Sequence, residues 1–213
     1  MSDQAHRPRG RQAEAARNDR RVLEAARDVF AGQGADAPIS AVAGRAGVGM
    51  GTLYRRYGSK TELLQQLCVL AMEQTLRAAQ EALAHDDAWA GLAHYIRQCV
   101  AFRTGALAPL AGKIEATPEM WRLARRGRKL VNQLVVKAHR SGALRSDATA
   151  LDIAYLIELF ARRPSTESTA EDDNVTGRLL AIALDGLRAG TSEPLPGAAP
   201  AATIYEARWV TAP

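Results

Sequence analysis

The chain has 213 residues, 47% of them hydrophobic and 24% charged, with a formal net charge of +5. That is enough for one large domain or a small domain joined to a larger one, and no apolar run approaches the roughly 20 residues that span a bilayer. The opening "MSDQAHRPRGRQAEAARNDRR" lacks the apolar stretch of a secretory signal, so a cytoplasmic protein with no membrane partner is expected.

Residues 1–62 hold 11 Lys/Arg against 7 Asp/Glu, and residues 63–213 hold 17 against 16. The basic excess therefore belongs to the N-terminal third, where a polyanion-binding segment needs it. Residues 1–17, with four arginines and few apolar groups, read as a disordered basic arm. From about Asp19, the residues Val22, Leu23, Ala26, Val29 and Phe30 form one apolar helical stripe, which Gly34 ends. A short helix follows from about Pro38 to Ala46, Gly47 breaks it, and a second short helix runs from about Gly49 to Tyr57. Ser59 is placed as an N-cap with Glu62 three residues on, opening a long helix to about residue 84.

Further helices are expected at about 86–104, 106–115 and 118–140, the last started by Thr117 as N-cap, Pro118 and Glu119. Two final helices, about 148–163 and 174–190, flank the polar "RPSTESTAEDDN". Residues 192–213 read as a Pro/Ala-rich tail whose closing "TIYEARWV" is apolar enough to dock. No β-branched alternation or hairpin signal interrupts the helical reading.

Two short helices joined by a glycine suggest a helix-turn-helix. Such a unit needs a small residue where its helices cross, a residue tolerating positive φ in the turn, and an apolar residue seating the second helix. Ala43, Gly47 and Leu53 fall at those positions. Advancing about 100° per residue puts Gly51 and Arg55 opposite Leu53, with Tyr54 and Thr52 flanking them. Tyr57 and Met50 lie on the inward side, and Arg56 beside the core edge. A small residue, a hydroxyl, a phenol and a guanidinium on one face can enter a major groove, bond phosphates and offer a fork to guanine. Lys60 adds a phosphate partner. The alternative is an ordinary solvated helix end.

Residues 21–64, "RVLEAARDVFAGQGADAPISAVAGRAGVGMGTLYRRYGSKTELL", resemble the N-terminal domain of TetR-family bacterial transcriptional regulators. The resemblance rests on "VAGRAGV", on "GTLYRRYGSK" and on the Phe30 and Gly34 punctuation. It implies an all-α fold: a three-helix helix-turn-helix DNA-binding domain over 18–62, then a helical effector-binding and dimerisation domain over 63–191. It also implies a homodimer on double-stranded DNA, at a palindromic operator, with one recognition helix in each of two successive major grooves. Gly51, Thr52 and Arg55 would meet bases or nearby phosphates, while Tyr54, Tyr57, Lys60 and Ser40 would hold the backbone. Gly49 departs from the usual Ser cap. Tyr57 replaces the commoner Phe, so its hydroxyl is expected to reach the surface or a phosphate.

Beyond the motif there is no catalytic constellation. His85, His94 and His139 form no metal-ligand spacing, and no cofactor motif is present. No enzyme activity and no cofactor are expected. Cys68 and Cys99 read as small buried hydrophobes, with a redox pair as the alternative. Met72, Trp89, Tyr95, Phe102, Trp121, Tyr155 and Phe160 could line a pocket, with Arg103 and Glu115 as polar anchors, or simply fill a core. The resemblance favours a pocket for a small-molecule effector. Leu151, Ala154, Ile157, Leu179, Ala183, Gly186 and Leu187 form stripes suited to a four-helix dimer interface. "RLARRGRKL" (122–130) reads as a solvated face. The expected function is a repressor released from its operator by a ligand. A ligand-independent regulator or activator, or an all-helical enzyme or carrier, are the alternatives.

Overall fold

A computed structural model describes residues 7–161, 170–190 and 193–208. Among them the elements are α1 (Arg7–Gln33), α2 (Ile39–Ala46), α3 (Met50–Tyr57), α4 (Lys60–Leu83), α5 (Ala88–Ala101), a 3₁₀ segment (Thr104–Leu110), α6 (Pro118–Arg140), α7 (Ala150–Ala161), α8 (Ala170–Gly186) and α9 (Ala202–Ala207). No helix of the described residues is long and apolar enough to cross a membrane.

Local chemistry sets most of the boundaries. Gly34 takes φ 79° and donates its N–H to the Phe30 carbonyl at 3.0 Å, closing α1. The Ser59 hydroxyl accepts the Glu62 N–H at 3.1 Å, and the Thr117 hydroxyl accepts that of Met120 at 3.2 Å. Each satisfies an N–H that the first helical turn leaves without a partner.

Four expectations need correction. Helix α8 begins at Ala170, inside the stretch read as polar loop, and α9 lies in the stretch read as a tail. The arm assigned to 1–17 is helical from Arg7 onward; residues 1–6 lie outside the described residues. The run "RQAEAAR" is made of strong helix formers, and Pro8 falls in the first turn, where its missing N–H costs nothing. The helix expected at 106–115 is instead the 3₁₀ segment 104–110, after which Gly112 (φ 73°) turns the chain. The segment lies tightly against α7, where a Cβ on Gly105 would lie 2.7 Å from the Glu158 Cα.

Two apolar cores are stacked along α4. The first joins α1, α2 and α3 to Leu63, Leu64, Leu67, Cys68 and Ala71 of α4, with Leu107, Leu110, Ile114 and Met120 beneath. The second gathers Ala78, Ala79 and Ala82 of α4 with α5, the end of α6, α7 and α8. A division at residue 62 therefore cuts through the first core, and the two cores meet along α4 between Ala71 and Ala78. Residues 63–71 of α4 are close-packed in one core with the first three helices.

Candidate nucleic-acid interface and the cavity behind it

The α2–turn–α3 unit is built as the spacing requires. Gly47 adopts φ 66°, ψ 36°, the left-handed region where glycine is tolerated without strain. A Cβ there would press to 3.1 Å from the Arg21 Nη2, which itself donates to the Ala46 carbonyl at 2.8 Å. Ala43 (4% exposed) permits the helix crossing, and Leu53 (1% exposed) anchors α3 in the core. Gly49 precedes α3 without a side-chain cap.

Opposite Leu53, the residues Gly51, Thr52, Tyr54 and Arg55 are exposed. A Cβ placed on Gly51 meets nothing within 4 Å, so no neighbour among the described residues demands a glycine there. Ser40 is exposed on α2, and Lys60 is half-buried with its ammonium 5.7 Å above the Phe30 ring. Arg55 has no ion-pair partner among the described residues. Its neighbour Arg56 is tied back to α1, donating from Nε and Nη2 to the Asp19 carboxylate at 3.0 and 2.6 Å. Of two adjacent guanidiniums, one is presented outward and the other braces α3 against α1.

Tyr57 corrects the sequence reading. It is 3% exposed, and its hydroxyl is buried with no hydrogen-bond partner among the described residues, so it reaches neither surface nor phosphate. Burial, then the charge of Asp19, raises its phenol above the ordinary value. An unpaired buried hydroxyl is destabilising. Tyr57→Phe is therefore expected to gain about 1 kcal/mol of stability without weakening DNA binding. Thermal melting and duplex titration of the variant check both halves.

Behind this unit lies a cavity of about 510 Å³ between α4, the 3₁₀ segment, α6, α7 and the C-terminal segment. Met72, Tyr95, Trp121 and Tyr205 contribute to its wall. Of the other expected pocket residues, Trp89 is half-buried in the second core beneath the Arg188 guanidinium, 4.7 Å from its ring. Phe102 is 43% exposed at the end of α5. Tyr155 stands one layer out, edge-on to Tyr205 at 5.4 Å. Arg103 points to Asp28 on α1, at 2.8 Å, and Glu115 is exposed.

The predicted dimer residues also divide. Leu151, Ala154 and Ile157 line the cavity, with Ile157 only 5% exposed, and Leu187 is 9% exposed in the second core. These α7 positions and Leu187 face inward because the cavity and core claim that side of the bundle. Leu179 (46% exposed) and Gly186 remain on the surface, Ala183 half so. Leu159 of α7 and Ile182 of α8, which sequence reading missed, are 63% and 65% exposed. Burial pushes the Cys68 thiol up to about 12 and that of Cys99 to about 11, so neither is a thiolate near neutrality. No group of His, Cys, Asp and Glu suited to a metal ion occurs among the described residues. Arg122, Arg125, Arg126, Arg128 and Lys129 of α6 are exposed, as a solvated face requires.

An all-helical chain with a helix-turn-helix carried on a long shared helix, and a cavity behind it, defines a class of DNA-binding regulator. Residues 22–67 match the family model for bacterial regulatory proteins of the tetR family, and residues 87–189 match that of the SbtR-like transcriptional regulator C-terminal domain. The chain belongs to the TetR family of transcriptional regulators. It resembles a TetR transcription regulatory protein from Mycobacterium vanbaalenii at 28% identity, covering 83% of this chain and 98% of that one, with a TM-score of 0.54. A TetR regulator from Streptomyces coelicolor shares the fold at 24% identity (82% and 99% coverage, TM-score 0.54). So does a ketosteroid transcriptional regulator of Mycobacterium tuberculosis at 22% identity (79% and 95% coverage, TM-score 0.57). A search of curated proteins gave no match.

Proposed function

We propose that this regulator is a homodimeric repressor that reads a palindromic operator through α3 and leaves it when a small molecule occupies the 510 Å³ cavity. The observation that carries the reading is the outward strip of Gly51, Thr52, Tyr54 and Arg55 on a helix seated rigidly by Leu53. Arg55 offers a fork to a guanine edge, Thr52 and Tyr54 hold bases or phosphates, and Ser40 and Lys60 hold the backbone. The exposed Leu159, Leu179 and Ile182 supply the apolar surface a second copy would cover.

A chain of contacts between the cavity wall and the helix-turn-helix supports the coupling. Glu158 on the cavity wall backs onto Gly105 at near-contact distance. Two residues earlier Arg103, held at φ 51°, donates to Asp28 at 2.8 Å. That carboxylate also accepts Arg45 of α2, at 2.7 and 3.2 Å. Beside it Arg27 donates to the Phe102 carbonyl at 3.0 Å and to Gln74 of α4 at 3.2 Å. A ligand that moves α4 or the 3₁₀ segment would re-aim α2 and α3, so ligand and DNA would oppose each other by about 1–3 kcal/mol in both directions. Selecting bound fragments from random duplex DNA tests the reading. The expected product is an inverted repeat with major-groove half-sites; recovery of no sequence preference would refute it.

A further inference from the structure

The cavity contains one unusual group. Glu158 is 4% exposed and is the only buried charged side chain among the described residues. A carboxylate taken out of water needs a cation or several donors to remain ionised. Its partners come from the C-terminal segment. Tyr205 on α9 donates its hydroxyl to Glu158 Oε1 at 2.9 Å, and the Arg208 Nη1 donates to Oε2 at 3.1 Å and to Oε1 at 3.4 Å. The Arg208 guanidinium also lies over two aromatic faces, 5.3 Å from the Tyr205 centroid and 5.7 Å from that of Tyr155.

A buried carboxylate flanked by two tyrosine rings is the combination that attracts an organic cation. Here it is filled by a side chain of the protein's own tail. We infer that Arg208 is an internal stand-in, and that the effector is an amphipathic organic cation whose charged head replaces it on Glu158, against the ring of Tyr205. The inference rests on the cavity being the effector site.

The rest of the wall fits such a molecule. Met72, Leu107 and Trp121 offer apolar surface for its body, and Arg128, the cationic residue of the lining, is exposed to solvent. Arg208 is 28% exposed, so it can be withdrawn without opening a core. Pro200, Ala202 and Tyr205 of the same segment form part of the wall, so the exchange would shift the tail as it admits the ligand. That segment is otherwise moored at its start. The Arg145 Nη2 donates to the Glu193 carbonyl at 2.7 Å, and the Leu195 N–H donates to Asp147 at 2.8 Å. Movement is thereby confined to the stretch beyond Leu195, which carries α9.

Tetraphenylphosphonium and tetraphenylborate, matched in shape and opposite in charge, test this by isothermal titration of the full chain. The phosphonium is expected to bind about tenfold or more tighter than the borate. Glu158→Gln should erase that preference, and Arg208→Ala should tighten phosphonium binding by about tenfold by removing the internal competitor. Equal or tighter binding of the borate, no phosphonium binding, or a preference that survives Glu158→Gln overturns the inference. If Glu158→Gln does not fold, Arg208→Ala decides, because unchanged or weaker phosphonium binding there is equally fatal. Adding the selected duplex separates the two readings. Phosphonium that binds through Glu158 but leaves DNA affinity unchanged removes the effector role and supports the cation site. Release of DNA by borate alone supports an effector cavity and removes the cation.

Discussion

Phe30→Ala is expected to cost about 3–5 kcal/mol, measured as the loss of unfolding free energy in urea. Phe30 is fully buried where α1 meets α2, α3 and the first half of α4, and its ring lies under the Lys60 ammonium. Deleting the ring removes its transfer free energy and leaves a void that closely packed neighbours refill only in part. The same contacts fix the angle at which α3 leaves the body, so DNA affinity should fall with stability. A loss below about 1 kcal/mol would mean that the first core is loosely packed.

Asp28→Ala is expected to cost about 2–3 kcal/mol, less than a fully buried pair because the carboxylate is partly hydrated. Asp28 joins α1 to Arg45 of α2 and to Arg103 at the head of the 3₁₀ segment, with side-chain exposures of 19%, 36% and 20%. Its removal leaves two guanidiniums close together without their shared acceptor. It also frees Arg103 from one of the contacts holding it at φ 51°, a conformation unfavourable for a non-glycine residue. The informative comparison is Asp19→Ala, which breaks the more exposed pair with Arg56, whose side chain is 63% exposed. There the loss should stay within about 1 kcal/mol. Urea unfolding of both variants gives the ranking. Equal losses would show that Asp28 is an ordinary surface ion pair and not the joint between the cavity layer and the helix-turn-helix.

What was legible in the chain was what neighbouring residues decide among themselves. Ser59 and Glu62, or Thr117 and Pro118, are three residues apart or fewer, and their capping chemistry can be read without knowing the fold. The outward face of α3 is likewise a matter of period. The long-range pairs were invisible. Arg56 and Asp19 are 37 positions apart, Arg103 and Asp28 are 75 apart, and Arg208 and Glu158 are 50 apart. Nothing in a single sequence marks such partners.

The cavity shows the same division. Large aromatic residues could be located along the chain, but the side of the bundle each would face could not. Trp89 and Phe102 therefore went to the wrong surroundings, while Tyr205, in a stretch read as a tail, contributes to the wall. Leu151, Ala154 and Ile157 form a periodic apolar stripe, and such a stripe looks alike whether it meets a second copy or a void. Tyr57 failed for a different reason. Its inward direction follows from the helical period, but the expectation that a hydroxyl needs a partner outweighed it. The fold buries the hydroxyl regardless.

The outward strip of α3 is the central claim, and the adjacent arginines provide its most direct measurement. They are to be titrated as Arg55→Ala and Arg56→Ala, at one salt concentration, against the selected duplex and against base-substituted versions of it. Each variant removes one positive charge, so simple attraction to phosphates would weaken both alike. Arg55→Ala should lose about 1–3 kcal/mol with a flattened preference at one base position, while Arg56→Ala keeps the wild-type preference because Asp19 already holds that guanidinium. Parallel losses with both preferences intact would contradict the assignment of α3 as the helix that reads sequence.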